Sequence, residues 1–140
     1  MRAILREAYL RERKLNLLYS AAAELDPGAV ENGGFFVQAR ENQAGDLKVL
    51  QGINSKYGNP EIDPSMLEKL GETVTSLRAG HKERSELLRQ ILEWETALVD
   101  LYKSSLRYLS TDDETRKQIN NMLTVKLQHR RELMDQLQMF

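Results

Sequence analysis

The chain has 140 residues, with 20 basic and 21 acidic side chains, a formal net charge of -1 and 41% apolar residues. That balance lacks the basic excess by which nucleic-acid and anionic-membrane binders are recognised. It contains no cysteine, which excludes disulfide stapling, thiolate catalysis and cysteine metal sites.

The size is that of one domain, taken as 1–140. Met1–Lys14 carries charges every few residues and no apolar core of signal-peptide length. No stretch approaches the roughly eighteen apolar residues of a membrane span. The expected compartment is the cytoplasm, with no nucleic-acid or membrane partner.

Prolines at 27, 60 and 64 and clustered glycines punctuate the chain. A first helix is predicted over about 2–25, ending before Asp26-Pro27-Gly28. A second is predicted over about 34–57, entered through Gly33-Gly34 and closed by Gly58-Asn59-Pro60. Asp63-Pro64 reads as an N-cap with proline at the first helical position, opening a short helix over 64–79 through Met66, Leu67, Leu70, Val74 and Leu77. Ala79-Gly80 ends or kinks it. A third long helix is predicted over 81–109. The last is predicted over 112–138, opened by the capping cluster Ser110-Thr111-Asp112 with Asp113 and Glu114 in its first turn. No stretch alternates with period two, so no sheet is expected.

The first-to-second and third-to-fourth long-helix links are short, which makes each pair an antiparallel hairpin. The middle link is long and carries its own helical piece. Two hairpins joined by a long crossover is the connectivity of a ferritin-like four-helix bundle, and the expected fold is all-α with that architecture.

A weak repeat relates the hairpins. Glu12, Leu15, Leu18, Tyr19 and Ala22 recur at the same offsets as Glu95, Leu98, Leu101, Tyr102 and Ser105. Two amphipathic helices can also share such spacings by coincidence. At about 100° per residue, Ile4, Ala8, Leu15, Leu18, Tyr19 and Ala22 set the inward direction of the first helix, and Glu12 lies roughly 50° from it. Leu87, Ile91, Trp94, Leu98, Leu101 and Tyr102 set that of the third long helix, and Glu95 lies roughly 35° from it, while Glu93 points to solvent. A buried carboxylate is expensive, so each needs a metal, a basic residue or a proton.

Glu-x-x-Leu-x-x-Leu-Tyr, repeated on these two helices, resembles the rubrerythrin branch of the ferritin-like superfamily. The chain is also similar to small bacterial ferritin-like domains of unknown function, through Leu101-Tyr102-Lys103-Ser104-Ser105-Leu106, a short acidic turn and a long last helix. The resemblance implies a di-iron centre with one glutamate from each of these helices and a Glu-x-x-His motif from each of the other two. Here the sequence departs. The last helix carries Lys126-Leu127-Gln128-His129, with lysine at the glutamate position. The best frame in the second helix, Glu41-Asn42-Gln43-Ala44, lacks the histidine, and Glu41 points away from Phe36, Leu47, Leu50 and Ile53.

With Ile119, Leu123, Leu133 and Leu137 directed inward, Lys126 and Arg130 both fall within about 20° of the same direction. The expectation is a buried ion-pair network of Glu12, Glu95, Lys126 and Arg130, supported by the core aromatics Tyr19 and Tyr102. A lysine snorkelling to a bundle end is the plainer alternative. Glu12, Glu95 and His129 as a mononuclear iron or manganese site is the metal-binding alternative. His81 is expected on the surface. Leu10, Leu17, Val49, Val125 and the terminal Met139-Phe140 fall outside the main stripes and are candidates for a self-association face.

The leading reading is a non-enzymatic bundle without a cofactor, serving as a structural or interaction module, its partner a second copy or another protein. The alternatives are an iron- or manganese-binding oxidoreductase or storage protein, and a helical export chaperone of the flagellar or type III secretion kind.

Overall fold

Apolar residues spaced three and four apart bury one stripe of each long helix, and turn residues end each stripe. A computed structural model describes residues 1–25, 34–80 and 84–138. Among them are five helices and no strand: α1 Arg2–Leu25, α2 Phe35–Lys56, α3 Pro64–Gly80, α4 Arg84–Leu106 and α5 Asp113–Gln136. None is long and apolar enough to cross a membrane.

The helix ends follow local chemistry. Gly34 is the N-cap of α2 and contributes no side-chain cap. At the other end Gly58 takes φ 84°, the left-handed conformation that glycine reaches without a Cβ penalty. Its N–H donates to Ser55 at 3.0 Å and that of Asn59 to Asn54 at 2.8 Å, a Schellman closure. Asp63 Oδ1 accepts from the Ser65 N–H at 2.9 Å, with Pro64 opening α3. Asp112 caps α5 by accepting from the Thr115 N–H at 3.2 Å. His81, Gly33, Met139 and Phe140 lie outside the described residues.

Polar contacts fix how the helices run. Asn54 donates to the Leu5 carbonyl and Asn16 to that of Arg40, so α1 and α2 are antiparallel. Tyr19 pairs with Glu95 and Glu12 with Tyr102, making α1 and α4 antiparallel. Arg84 meets Gln136 and Glu95 meets Lys126, so α4 and α5 are antiparallel too. Lys56 meets Asp112 at 2.8 Å and Asn42 meets His129, which sets α2 antiparallel to α5. The crossover helix α3 lies along α1, burying Leu70 and Val74.

Most of the buried apolar side chains, from Leu5 and Leu15 to Ile119 and Leu133, join in one cluster. At the start of α1 it is Leu5 that is fully buried, and Ile4 is only half-buried. Val49, expected outside the stripes, packs partly buried against the cluster. Leu17 does face solvent.

Candidate functional site

Charged side chains rarely enter a helical core, because desolvation costs each ion several kcal/mol, roughly, unless opposite charge and hydrogen bonds offset it. Among the described residues this core holds three. Glu12, Glu95 and Lys126 are each 0% exposed. They come from α1, α4 and α5, at positions where the apolar periodicity of each helix points inward.

Lys126 Nζ lies 2.9 Å from Glu12 Oε2 and 3.3 Å from Glu95 Oε1. The tyrosines cross-brace the carboxylates. The Tyr19 hydroxyl donates to Glu95 Oε1 at 3.0 Å, and the Tyr102 hydroxyl donates to Glu12 Oε1 at 2.7 Å. Gln43 Nε2 donates to Glu12 Oε2 at 3.0 Å, and Asn16 Nδ2 donates to Gln43 Oε1 at 3.3 Å. Every long helix thus contributes to one polar centre.

The electrostatics follow from burial opposed by pairing. Burial alone would raise the Glu95 carboxyl, but the Lys126 ammonium, then His129 and the Tyr19 hydroxyl, leave it below its ordinary value. Burial alone would lower Lys126, yet Glu12 and Glu95 hold it above the usual lysine value, so it stays an ammonium. Burial, then the neighbouring carboxylates, push both tyrosine hydroxyls well up, keeping them as protonated donors. Asp46 sits at the edge of the centre. Burial and Glu12 raise its carboxyl to about 6, against the opposing effect of Lys126.

Three buried polar atoms around the centre have no hydrogen-bond partner: Glu95 Oε2, Asp46 Oδ2 and His129 Nδ1. His129 is 5% exposed. Its Nδ1 is 3.7 Å from Glu95 Oε1, beyond hydrogen-bond length, and its Nε2 is 3.5 Å from Asn42 Nδ2. Its ring packs edge-on against Tyr19 and Phe35. A surface cleft lined by Phe35, Gln38, Asn42, Gln128 and Glu132 reaches the centre at His129.

Glu12, Glu95, Lys126, Tyr19 and Tyr102 are therefore brought together, with His129 beside them. Arg130 is not. It is half-buried, and its Nε is a buried donor without a partner. It shares the stripe of Lys126 but lies four residues on, roughly 6 Å further along the helix axis, past the carboxylates. Glu41 is exposed. The polar residue that α2 brings to the centre is Gln43, which sequence reasoning missed along with Asp46. Gln43 falls seven residues after Phe36 and seven before Leu50, both buried, and that spacing is the signal that marks it.

Lys126 is held as an ammonium, and both tyrosine hydroxyls are held protonated. Among the described residues no group of three or more His, Asp or Glu side chains is placed to hold a metal ion. No protein-family model matches the chain, and no curated protein matches it in sequence.

Proposed function

We propose that this chain is a ferritin-like four-helix bundle whose metal centre has been replaced by an internal Glu/Lys ion-pair clasp, and that it is a non-enzymatic structural or protein-interaction module. The observation that carries the reading is the Lys126 ammonium, fully buried and paired with both Glu12 and Glu95. The helix directions support the bundle. Four antiparallel neighbour pairs, with the long link running between α2 and α4, are what a ferritin-like connectivity requires.

The residues at hand do not fit a di-iron centre. Lysine stands where the last helix would offer a bridging carboxylate, and its positive charge opposes a cation at the same place. The reactive-looking groups are also closed off: the two carboxylates and both tyrosines have no exposed surface for a substrate to reach. Among the described residues the exposed large apolar side chains are Leu17, Leu127 and Tyr108, at 40%, 42% and 61% exposure, and a second copy of the chain is the first partner to seek.

Elemental analysis of freshly purified protein, before and after anaerobic ferrous iron or manganese, tests the reading. The expected result is a folded chain without stoichiometric metal. Near-stoichiometric metal, lost in Glu12→Ala and Glu95→Ala, would overturn it in favour of a metal protein. That rival draws on the unpartnered Glu95 Oε2 and His129 Nδ1. Sedimentation across a wide concentration range tests the homodimer, and a monomer throughout removes it.

A further inference from the structure

The turn that ends α2 folds the chain back over the start of α1. Arg2 donates to the Gly58 carbonyl at 2.8 Å, and Asn59 Nδ2 donates to the Arg2 carbonyl at 2.9 Å and to Asn54 Oδ1 at 2.7 Å. Asn54 is itself buried and donates to the Leu5 and Leu50 carbonyls. These bonds fix one wall of a partly open cavity between α1, α2 and the link 59–62. Arg6 lines it six residues before Glu12, roughly 9 Å away along the helix axis, so the cavity is separate from the Lys126 centre.

The remaining polar side chains of the cavity are uncommitted. Arg6, Tyr9, Gln51, Ser55 and Glu61 line it. Arg6 is half-buried, and its side chain donates only to the Met66 sulfur at 4.0 Å, a weak acceptor for a guanidinium. Glu61 lines the same cavity, yet no ion pair joins the two, and among the described residues neither has another. The side chains of Tyr9, Gln51 and Ser55 likewise have no hydrogen-bond partner there.

Opposite charges that face one cavity without meeting are complementary to a ligand that carries both. The enclosed space is about 30 Å³, and one water-sized group needs roughly 10–15 Å³ of it. A carboxylate beside an ammonium fits that space, whereas a sugar or a nucleobase is too large. A phosphate would set further negative charge beside Glu61. We propose that this cavity binds a free α-amino acid, its carboxylate in the fork of the Arg6 guanidinium and its ammonium against Glu61. Tyr9, Ser55 and Gln51 complete the hydrogen bonding of the head group, and the ligand's side chain extends through the mouth past Pro60 and Ile62. This inference goes beyond the proposed function and stands or falls apart from it.

Protein-observed NMR of the full chain is the test, because the side-chain amides of Gln51, Asn54 and Asn59 report from the cavity wall. L-Alanine at neutral pH is expected to move these signals saturably. Acetate and methylamine carry one charge each and should bind at least about tenfold more weakly, as should L-alanine to Arg6→Gln or Glu61→Gln, each lacking one hydrogen bond between charged groups. Arg13→Gln, on α1 but outside the cavity, should leave the affinity unchanged. The absence of any saturable shift with L-alanine overturns the proposal. So does acetate binding as tightly as L-alanine, wild-type affinity in Glu61→Gln, or an equal loss in Arg13→Gln. Should Arg6→Gln fail to fold, Glu61→Gln, at an exposed position in the link, gives the same decision.

Discussion

An ammonium without exposed surface persists only while carboxylates face it, and Lys126 faces two. Lys126→Met leaves Glu12 and Glu95 buried without their cation, and should cost about 3–5 kcal/mol in urea unfolding. Adding Glu12→Gln and Glu95→Gln removes both stranded charges while keeping acceptors for the tyrosine hydroxyls. The triple variant should therefore regain most of the loss; a triple variant as unstable as the single would show that shape, not charge, dominates. Asp46 makes an opposite prediction. Its carboxyl is raised from 3.8 to about 6, so the native state keeps a proton that the unfolded chain releases. Stability contributed by that proton is present below about pH 4 and is lost as pH rises to about 6. Asp46→Asn should flatten this part of the pH–stability curve and add about 1 kcal/mol at pH 7, the partial solvent contact of the side chain keeping the gain small. A variant curve parallel to wild type would sink the assignment. Glu12, Glu95 and Lys126 were legible from helical phase, because each falls within a strong apolar stripe. Gln43 and Asp46 were not. A neutral amide on a helix with few large apolar residues gives no charge to arouse suspicion, and the frame read through Glu41 pointed one residue pair away.

Helix limits are set by a few residues whose chemistry is local, which is why proline, glycine and the capping side chains mark them in the sequence. What the sequence does not mark is how one helix end ties to another. Asp112 does more than cap α5. It pairs with Lys56 at 2.8 Å and accepts from the Tyr57 hydroxyl, so the end of α2 is fastened to the start of α5. These contacts, Lys56 first and then Tyr57 and Thr115, hold its carboxyl far below the usual carboxylate range. Because the folded value is depressed, this contribution to stability is present at neutral pH and is lost progressively as pH falls below the ordinary carboxylate value of 3.8. Asp112→Asn keeps a cap acceptor and loses the ion pair, whereas Asp112→Ala loses both. Amide exchange at Thr115, whose N–H donates to the Asp112 carboxylate, should accelerate modestly in the asparagine variant and strongly in the alanine variant, with Arg116, bonded to the Asp112 backbone carbonyl, as the internal reference. Equal protection in all three forms would mean that packing alone holds this end.

Across the whole molecule, the four long helices meet at one polar centre while α3 touches only its outside, along α1. The centre therefore decides which cations the core accepts. As built, two deeply buried carboxylates share one ammonium. The 83-residue offset between Glu12 and Glu95 carries Gln43 onto Lys126 and Asp46 onto His129, so Gln43, Asp46 and Lys126 are the positions that depart from the ligand set of a ferritin-like di-metal centre. Replacing them as Gln43→Glu, Asp46→His and Lys126→Glu gives each hairpin one glutamate on its first helix and a Glu-x-x-His pair on its second, with Glu12, Glu95 and His129 untouched. Four carboxylates then lack any internal cation, which only protons or about two divalent ions can balance. The triple variant should be less stable than wild type when metal-free, and its melting temperature should rise with added manganese or cobalt, as mass action requires of a ligand that binds only the folded state. Plasma mass spectrometry should find about two metal equivalents per chain. The single variant Lys126→Glu, which still lacks a carboxylate and an imidazole at positions 43 and 46, should retain fewer. A triple variant that takes up no metal and melts at the same temperature with or without it would refute the alignment of the two hairpins at the centre.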